Sequence, residues 1–244
     1  MKKVVISIMI IGLIALGSIN NVLASNDSND VETKSDIIFR DDFDYESDYW
    51  FWHDAYPAYH YFENGIVKFT VPWANWGLMK SGKNCTSEMW ENTTSPSFKY
   101  NNMEIRVKVD NISRGSKGWG FWNSDTNPFN ISLAWFIFQL SSNIFFPFKG
   151  LWIVVMDGNI FDITLKRIRG LDIREWHTYN INWTENYVDF YVDDELVSHA
   201  TRGVPQKNCR AWVWNDNAMW YPIPIFQRII RPTTLCVDYL EITE

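Results

Sequence analysis

The sequence has few of the residues from which several common kinds of site are built. It contains three cysteines and four histidines, and its 22 Lys and Arg are outnumbered by 29 Asp and Glu. Three cysteines allow at most one internal disulfide, and neither they nor the histidines have the spacing of a metal motif. The net charge of −7 argues against nucleic acid as a partner, because phosphate binding needs a basic patch and the chain has no dense Lys/Arg cluster.

Glutamate is missing from a long central stretch. No Glu occurs between Ile105 and Arg174, and no two aspartates in this interval have the spacing of neighbours on one strand face. The chain also lacks a Gly-X-Ser-X-Gly nucleophile elbow and a phosphate-binding glycine loop. Aromatic residues, in contrast, are abundant, with 14 Trp, 11 Tyr and 16 Phe. Such residues fill cores, and in rows they also stack on the apolar faces of sugar rings.

The first 24 residues predict a secretory signal peptide. Lys2 and Lys3 precede an apolar run from Val4 to Leu16, and small residues stand before a cleavage point after Ala24. This run is shorter than the ~20 residues of a membrane span, although an uncleaved anchor is the alternative. We therefore expect a protein that is secreted, extracellular or at the cell surface, with no stable membrane span after cleavage.

The rest of the chain predicts a flexible leader and one domain. Residues 25–36 are polar and lack aromatics, so the domain is expected to cover residues 37–244. Asn-X-Ser/Thr sequons, which matter only in a host that glycosylates, occur at Asn84, Asn92, Asn111, Asn130 and Asn182.

Short alternating segments predict an all-β fold. Apolar and polar residues alternate over 65–73, 103–111 and 176–183, as they do in strands with one buried face. Turns at Glu185-Asn186 and Asp193-Asp194 predict a hairpin and a further reversal. Many short strands without a helical period indicate a sandwich or a barrel.

Five stretches, in this order, resemble glycoside hydrolase family 16, the laminarinases, lichenases and relatives. They are "FRDDFD" (39–44), "SFKYNNMEIRVKV" (97–109), "GSKGWGFWN" (115–123), "EWHTYNINWTENYVDFYVDDELV" (175–197) and "LCVDYLEI" (235–242). The resemblance covers nearly the whole predicted domain. It implies a concanavalin-A-like jelly-roll β-sandwich of two antiparallel sheets.

The resemblance fails at the catalytic strand. The family carries Glu-X-Asp-X-Glu or Glu-X-Asp-X-X-Glu shortly after the Gly-Trp stretch, so that alternate acids converge on one cleft. A retaining glycosidase needs two such carboxyl groups about 5–5.5 Å apart. The corresponding strand here, "ISLAWFIFQ" (131–139), has no acid. We therefore expect the family's hydrolysis to be absent, and the weak candidates for other acids are Glu88 and Asp125.

The aromatic residues are the candidates for a glycan-binding surface. By position in the family, Trp122 would lie beside the cleft and Trp135 in the strand that normally carries the acids. The full set of candidate ligand-binding residues is Trp76, Trp90, Trp122, Trp135, Trp212, Trp214 and Asn215. The alternative for each tryptophan is that it fills the core of the sandwich.

The family also implies a structural calcium ion that joins the first and last strands. Asp238 matches the usual side-chain ligand, and Asp42 and the carbonyl of Gly65 are weaker candidates. The alternative is that Asp238 faces water on an outer strand.

The hypothesis from sequence is a secreted, lectin-like protein that binds a polysaccharide or other glycan on this fold. One rival is an active glycan hydrolase or lyase that uses Glu88 with Asp125. The other is a structural cell-surface domain without a sugar ligand. Exposed tryptophans in one groove would favour binding, a suitably spaced carboxylate pair would favour catalysis, and buried tryptophans would favour structure.

Overall fold

A computed structural model describes residues 36–72, 85–127, 129–140, 149–159, 161–220, 224–226 and 231–244. The predicted signal peptide and Trp76 lie outside these residues. Every regular element in the described part of the chain is a β-strand. That part accordingly contains no helix long and apolar enough to cross a membrane.

The strands are numbered in chain order. They are β1 (Ile37–Asp41), β2 (Trp50–Asp54), β3 (Tyr59–Phe62), β4 (Val67–Val71), β5 (Thr86–Glu91), β6 (Asn102–Asp110), β7 (Gly115–Trp122), β8 (Ser132–Leu140), β9 (Gly150–Asp157), β10 (Ile163–Ile168), β11 (His177–Trp183), β12 (Val188–Val192), β13 (Glu195–Ala200), β14 (Arg210–Asp216), β15 (Ala218–Trp220), β16 (Pro224–Phe226) and β17 (Thr233–Thr243).

Two large antiparallel sheets form a sandwich. The eight-stranded sheet has the order β13-β12-β11-β6-β17-β4-β3, with β1 paired to β17, and the seven-stranded sheet has the order β10-β9-β8-β7-β14-β5-β2. Strands β15 and β16 form a separate pair. This architecture confirms the predicted β-sandwich of two antiparallel sheets.

The alternating segments form strands as predicted. In β6, Met103, Ile105 and Val107 are buried while the intervening residues are partly exposed. The reversal between β12 and β13 contains Asp193 and Asp194, whose φ angles of 49° and 65° are those of a tight hairpin turn. Asp tolerates this left-handed conformation better than most residues, so the sequence itself determines the turn.

The seven-stranded sheet is apolar on both faces. One face packs against the eight-stranded sheet and contributes Ala134, Phe136 and Phe138 of β8 to the main core. The opposite face carries a second apolar cluster, which includes Leu133, Trp135, Ile137, Met156, Trp212 and Trp214. We call this second surface the aromatic face. Because successive residues of a strand point to opposite faces, the odd-numbered residues of β8 lie on the aromatic face.

All three cysteines are buried free thiols. Burial raises the pKa of Cys85 to about 11 and that of Cys236 to about 12, so both thiols are protonated at neutral pH. The one disulfide that the count allowed is therefore not formed.

Candidate functional site

A row of rings crosses the aromatic face from strand to strand. The β-ladder places Trp135, Gly120, Trp212, Trp90 and Phe51 opposite one another on β8, β7, β14, β5 and β2. Three of the rings are stacked, with centroids 4.6 Å apart for Phe51 and Trp90 and 4.5 Å apart for Trp90 and Trp212. Rings that stack across adjacent strands project from the sheet side by side. Each ring therefore covers most of the face of the next ring.

Two glycines make room for the large rings. Gly118 and Gly120 lie on the aromatic face of β7, between Trp214 and Trp212 on one side and β8 on the other. A Cβ atom on Gly118 would lie 2.2 Å from the Trp214 ring, closer than any real contact. The Gly-Trp-Gly stretch of β7 thus puts Trp119 into the core and leaves space above the strand for Trp214.

The tryptophans of this face differ in their accessibility. Trp135, Trp212 and Trp214 are buried, with exposures of 7%, 8% and 5%. Trp90 and Trp122 are half-buried. A ligand could therefore reach Trp90 and Trp122 directly, whereas the central three rings support the surface from below.

Two polar donors on this face have no partner in the described part of the chain. They are the indole Nε1 of Trp135 and the guanidinium Nε of Arg210, and both atoms are buried. The other Arg210 nitrogens donate to Ser124 Oγ (3.1 Å) and to the carbonyl of Thr93 (2.8 Å). A buried donor without an acceptor costs about 1–3 kcal/mol.

Glu88 is a half-buried carboxylate of the aromatic face. Its Oε1 forms a 2.8 Å hydrogen bond with His53 Nδ1, and its Oε2 accepts a 3.0 Å hydrogen bond from Trp212 Nε1. The Glu88 side chain is 17% exposed, and that of His53 is 47% exposed. Sequence analysis missed the role of His53 because its partner lies 35 residues away on an adjacent strand.

The register separates Glu88 from Asp125. Glu88 lies opposite Trp214, which lies opposite Gly118, so two strand spacings separate Glu88 from β7. Trp122 is four residues beyond Gly118 in β7, and Asp125 follows three residues after Trp122. With about 4.8 Å between strands and about 3.3 Å per residue, the backbone of Glu88 is about 16 Å from that of Trp122.

Asp125 is also engaged within its own loop. Its carboxylate accepts hydrogen bonds from the backbone N–H of Asn127 (2.8 Å) and from the side-chain amide of Asn130. These bonds lower the pKa of Asp125, so it is ionised at neutral pH and cannot act as the acid. The hypothetical pair of Glu88 and Asp125 therefore does not have the spacing of about 5–9.5 Å that a glycosidase needs.

The strand that resembles the catalytic strand presents apolar side chains to this face. Leu133, Trp135 and Ile137 of β8 belong to the cluster of the aromatic face. These three side chains offer the aromatic face hydrocarbon and indole and no carboxylate.

Asn215 does not lie with the tryptophans. It is fully buried, and its amide donates hydrogen bonds to the carbonyls of Phe69 (2.8 Å) and Thr233 (3.0 Å), which belong to the other sheet. Because Asn215 follows Trp214 directly in β14, it points to the opposite face. Its inclusion among the ligand-binding candidates is corrected on this ground.

The residues proposed for calcium are already paired with arginines. The Asp238 carboxylate accepts a 2.5 Å hydrogen bond from Arg106, and Asp42 accepts hydrogen bonds of 2.7 Å and 3.0 Å from Arg40. Gly65 lies near the carbonyl of Asp42 and the carboxylate of Asp44, but the described residues contain no group of three or more His, Cys, Asp or Glu that could hold a metal. This arrangement does not fit a calcium ion, which takes six to eight oxygen ligands.

Calcium should therefore leave the stability of the protein unchanged. A cation bound at one hundred times its Kd would add about 2.7 kcal/mol, which for a domain of this size is a rise in Tm of about 5–10 °C. We expect no such rise when 1 mM CaCl2 replaces 1 mM EDTA in differential scanning calorimetry. A calcium-dependent rise of that size would contradict the prediction.

Comparison with known proteins supports the same class of fold. The model of the family "Glycosyl hydrolases family 16" matches residues 167–225. No curated protein matches the chain.

Several solved structures share the fold. An endo-acting O-glycanase from the human gut microbiota aligns with 85% of this chain and 99% of its own (TM-score 0.61, 13% identity). The β-glucanase of Bacillus licheniformis aligns with 84% and 97% (TM-score 0.60, 16% identity). A GlcNAcα1-4Gal-releasing endo-β-galactosidase from Clostridium perfringens aligns with 88% and 64% (TM-score 0.59, 18% identity).

The described residues thus have the jelly-roll fold of glycan hydrolases. The resemblance of the chain to glycoside hydrolase family 16 is confirmed, in sequence over residues 167–225 and in fold over most of the chain.

Proposed function

We propose that this chain is an exported, lectin-like protein that binds a glycan on its aromatic face without the hydrolysis typical of the family. The observation that carries the proposal is a row of rings beside hydrogen-bonding groups, on the face to which the family resemblance assigns the converging acids. Trp90 and Trp122 are accessible, and Glu88 offers acceptors. Sugar sites combine apolar rings with a few polar groups in this way.

The structures of similar fold support a glycan as the partner. They are an endo-acting O-glycanase, a β-glucanase and an endo-β-galactosidase, all of which act on glycans. The electrostatics of the chain agree, because its net charge of −7 favours a neutral polymer over a polyanion such as nucleic acid. The predicted signal peptide would deliver the protein to where such polymers occur.

A structural role is the second candidate, and the burial of Trp135, Trp212 and Trp214 favours it. In that case the aromatic face would be a second core rather than a binding surface. Catalysis has less support, because the register separates Glu88 from Asp125, the second acid of the predicted pair.

Trp90→Ala and Trp122→Ala should each weaken glycan binding at least about tenfold, the equivalent of about 1.4 kcal/mol. The loss follows from removing the exposed parts of the Trp90 and Trp122 rings, which a sugar can contact. Affinity electrophoresis in gels containing laminarin, barley β-glucan, κ-carrageenan or mucin measures the effect. Tyr45→Ala is the matched control, because Tyr45 is 74% exposed and lies on the segment between β1 and β2, outside the aromatic face.

Two outcomes would contradict the proposal. Equal retardation of the wild type, Trp90→Ala and Trp122→Ala in these gels would show that the aromatic face is not the binding surface. Release of reducing ends from any of these polymers, abolished by Glu88→Gln, would identify an enzyme instead.

A further inference from the structure

A shallow groove lies on the outer face of the eight-stranded sheet, away from the aromatic face. Its volume is about 320 Å³, and every residue that lines it is polar: Asn102, Asn180, Asn182, Tyr191 and Asp194. This surface belongs to β6, β11 and β12 and to the turn after β12. It plays no part in the function proposed above.

The β-ladder brings the amides together. Asn182 of β11 lies opposite Asn102 of β6, and Asn180 lies opposite Tyr191 of β12. Asn180 and Asn182 are two residues apart in one strand, so both point to the same side of the sheet. The groove therefore has a floor of three neighbouring amides with a phenol ring beside them.

These amides keep most of their hydrogen-bonding capacity. Asn102 donates one hydrogen bond, of 3.1 Å, to the carbonyl of Glu244. The side chains of Asn180 and Asn182 have no hydrogen-bond partner among the described residues, although both are half-buried. Each amide offers two donors and one acceptor oxygen, so the three together could bind several hydroxyl groups.

The same sheet face is different farther along β6 and on β17. There the side chains pair with one another, as Arg106 does with Asp238 and Glu104 does with Tyr239. The amides of the groove differ from these residues because they are uncharged and, apart from the one hydrogen bond of Asn102, unpaired within the described part of the chain.

The chemistry of the lining selects the class of ligand. The groove contains no cationic side chain, which disfavours anions, and its one acid is Asp194. Burial, together with the neighbouring Asp189 that accepts a hydrogen bond from the phenol, raises the pKa of Tyr191, so this side chain stays neutral and presents its ring to the groove. Amides and a carboxylate that face hydroxyl groups, next to a ring that covers an apolar C–H face, are what a neutral saccharide requires.

The geometry points to a second saccharide site in this groove, formed by Asn102, Asn180, Asn182 and Tyr191. A glycan bound there would be independent of the aromatic face, since the two surfaces lie on different sheets. The protein would then be able to hold two chains, or two segments of one chain, at once.

The test uses NMR on ¹⁵N-labelled Trp90→Ala protein from a bacterial host, so that the aromatic face is already weakened. Laminarihexaose, cellohexaose, xylohexaose and chitohexaose are titrated separately, and the side-chain amide signals of the three asparagines are followed. We expect saturable shifts with at least one hexasaccharide. The dissociation constant should rise at least fivefold when Tyr191→Ala, or Asn180→Ala with Asn182→Ala, is added.

Asn186→Ala is the matched control, because Asn186 is an exposed asparagine in the turn between β11 and β12 and does not line the groove. It should leave the dissociation constant unchanged. Two variants of different chemistry guard against a change that merely disturbs the fold. Since the background already lacks Trp90, failure of the first proposal would not remove the expected shifts.

Three results would overturn the second site. They are no saturable shift with any of the four hexasaccharides, shifts that persist equally in both groove variants, and a covalent glycan on Asn182. The last is possible in principle because Asn182-Trp183-Thr184 is a sequon. Intact mass of the protein secreted by a glycosylating host distinguishes an attached sugar from a free one.

Discussion

Gly118→Ala should lower the free energy of unfolding by about 3 kcal/mol, the upper end of the usual cost of overpacking. The added methyl group would lie 2.2 Å and 2.3 Å from two carbons of the Trp214 ring. That ring cannot simply swing away, because it packs against Trp135 with 4.9 Å between ring centroids and its Nε1 donates to Ser116 Oγ. The variant should therefore displace the centre of the aromatic face.

Thermal unfolding and near-UV circular dichroism measure this effect. For a domain of this size, about 3 kcal/mol corresponds to a fall in Tm of about 6–12 °C. The signal from packed tryptophans should fall as well.

A double-mutant cycle separates the clash from other effects. Trp214→Ala alone should be strongly destabilising, as the loss of a buried tryptophan costs about 3–5 kcal/mol. In that background Gly118→Ala should cost less than about 1 kcal/mol, since the ring it would strike is gone. A cost of Gly118→Ala that is the same in both backgrounds would show that Trp214 is not the reason for the glycine.

The sequence predicts the fold well because strands with one buried face leave a clear pattern. The alternation around Ile105 and the turn at Asp193-Asp194 are both confirmed. Each depends only on local conformational preferences and on which face of the strand is exposed to solvent. The same reasoning identifies the family resemblance. It does not show what the acid-free strand at 131–139 does.

The direction of side chains in the seven-stranded sheet could not be predicted. Strand β8 is apolar on both faces, so its sequence leaves undecided whether Trp135 or Phe136 enters the core. The structure assigns Trp135 to the aromatic face and Phe136 to the core. Asn215 shows the same difficulty, because its neighbour Trp214 lies on the aromatic face while Asn215 points inward.

Contacts between distant strands were also beyond the sequence. The hydrogen bond between His53 and Glu88 depends on the register of β2 and β5, and the pair of Arg106 and Asp238 depends on that of β6 and β17. Both pairs change the interpretation of a candidate residue. Glu88 becomes a positioned acceptor, and Asp238 becomes the partner of a guanidinium.

Lys117 is an unexpected member of the core. It is fully buried on the inner face of β7, the side that also carries Trp119 and Phe121. Its ammonium group donates a 3.4 Å hydrogen bond to the carbonyl of Ser113. Burial away from water lowers the pKa of Lys117 to about 8, and the nearby charge of Asp216 opposes this only in part.

The stability contributed by Lys117 should therefore rise with pH between about 8 and 10.5. Below pH 8 the lysine is protonated in both the folded and the unfolded chain, so its unfavourable contribution is constant. Between the folded pKa of about 8 and the ordinary value of 10.5, only the unfolded chain holds the proton. Stability rises with pH wherever the unfolded state binds more protons, and 2.5 pKa units correspond to about 3 kcal/mol.

Urea denaturation of the wild type and Lys117→Met at pH 7, 8, 9 and 10 tests this dependence. The contribution of the buried thiols and phenols to stability falls over the same pH range, because burial raises their pKa values. This contribution is common to both proteins and cancels in the difference. The difference in unfolding free energy, wild type minus variant, should thus increase steadily from pH 8 to pH 10. Lys166→Met, at an exposed position of β10, should give a flat difference. A difference for Lys117→Met that does not change with pH would contradict the prediction and show that the Lys117 ammonium is in contact with water. The inner face of β7 would then be open to solvent near Ser113.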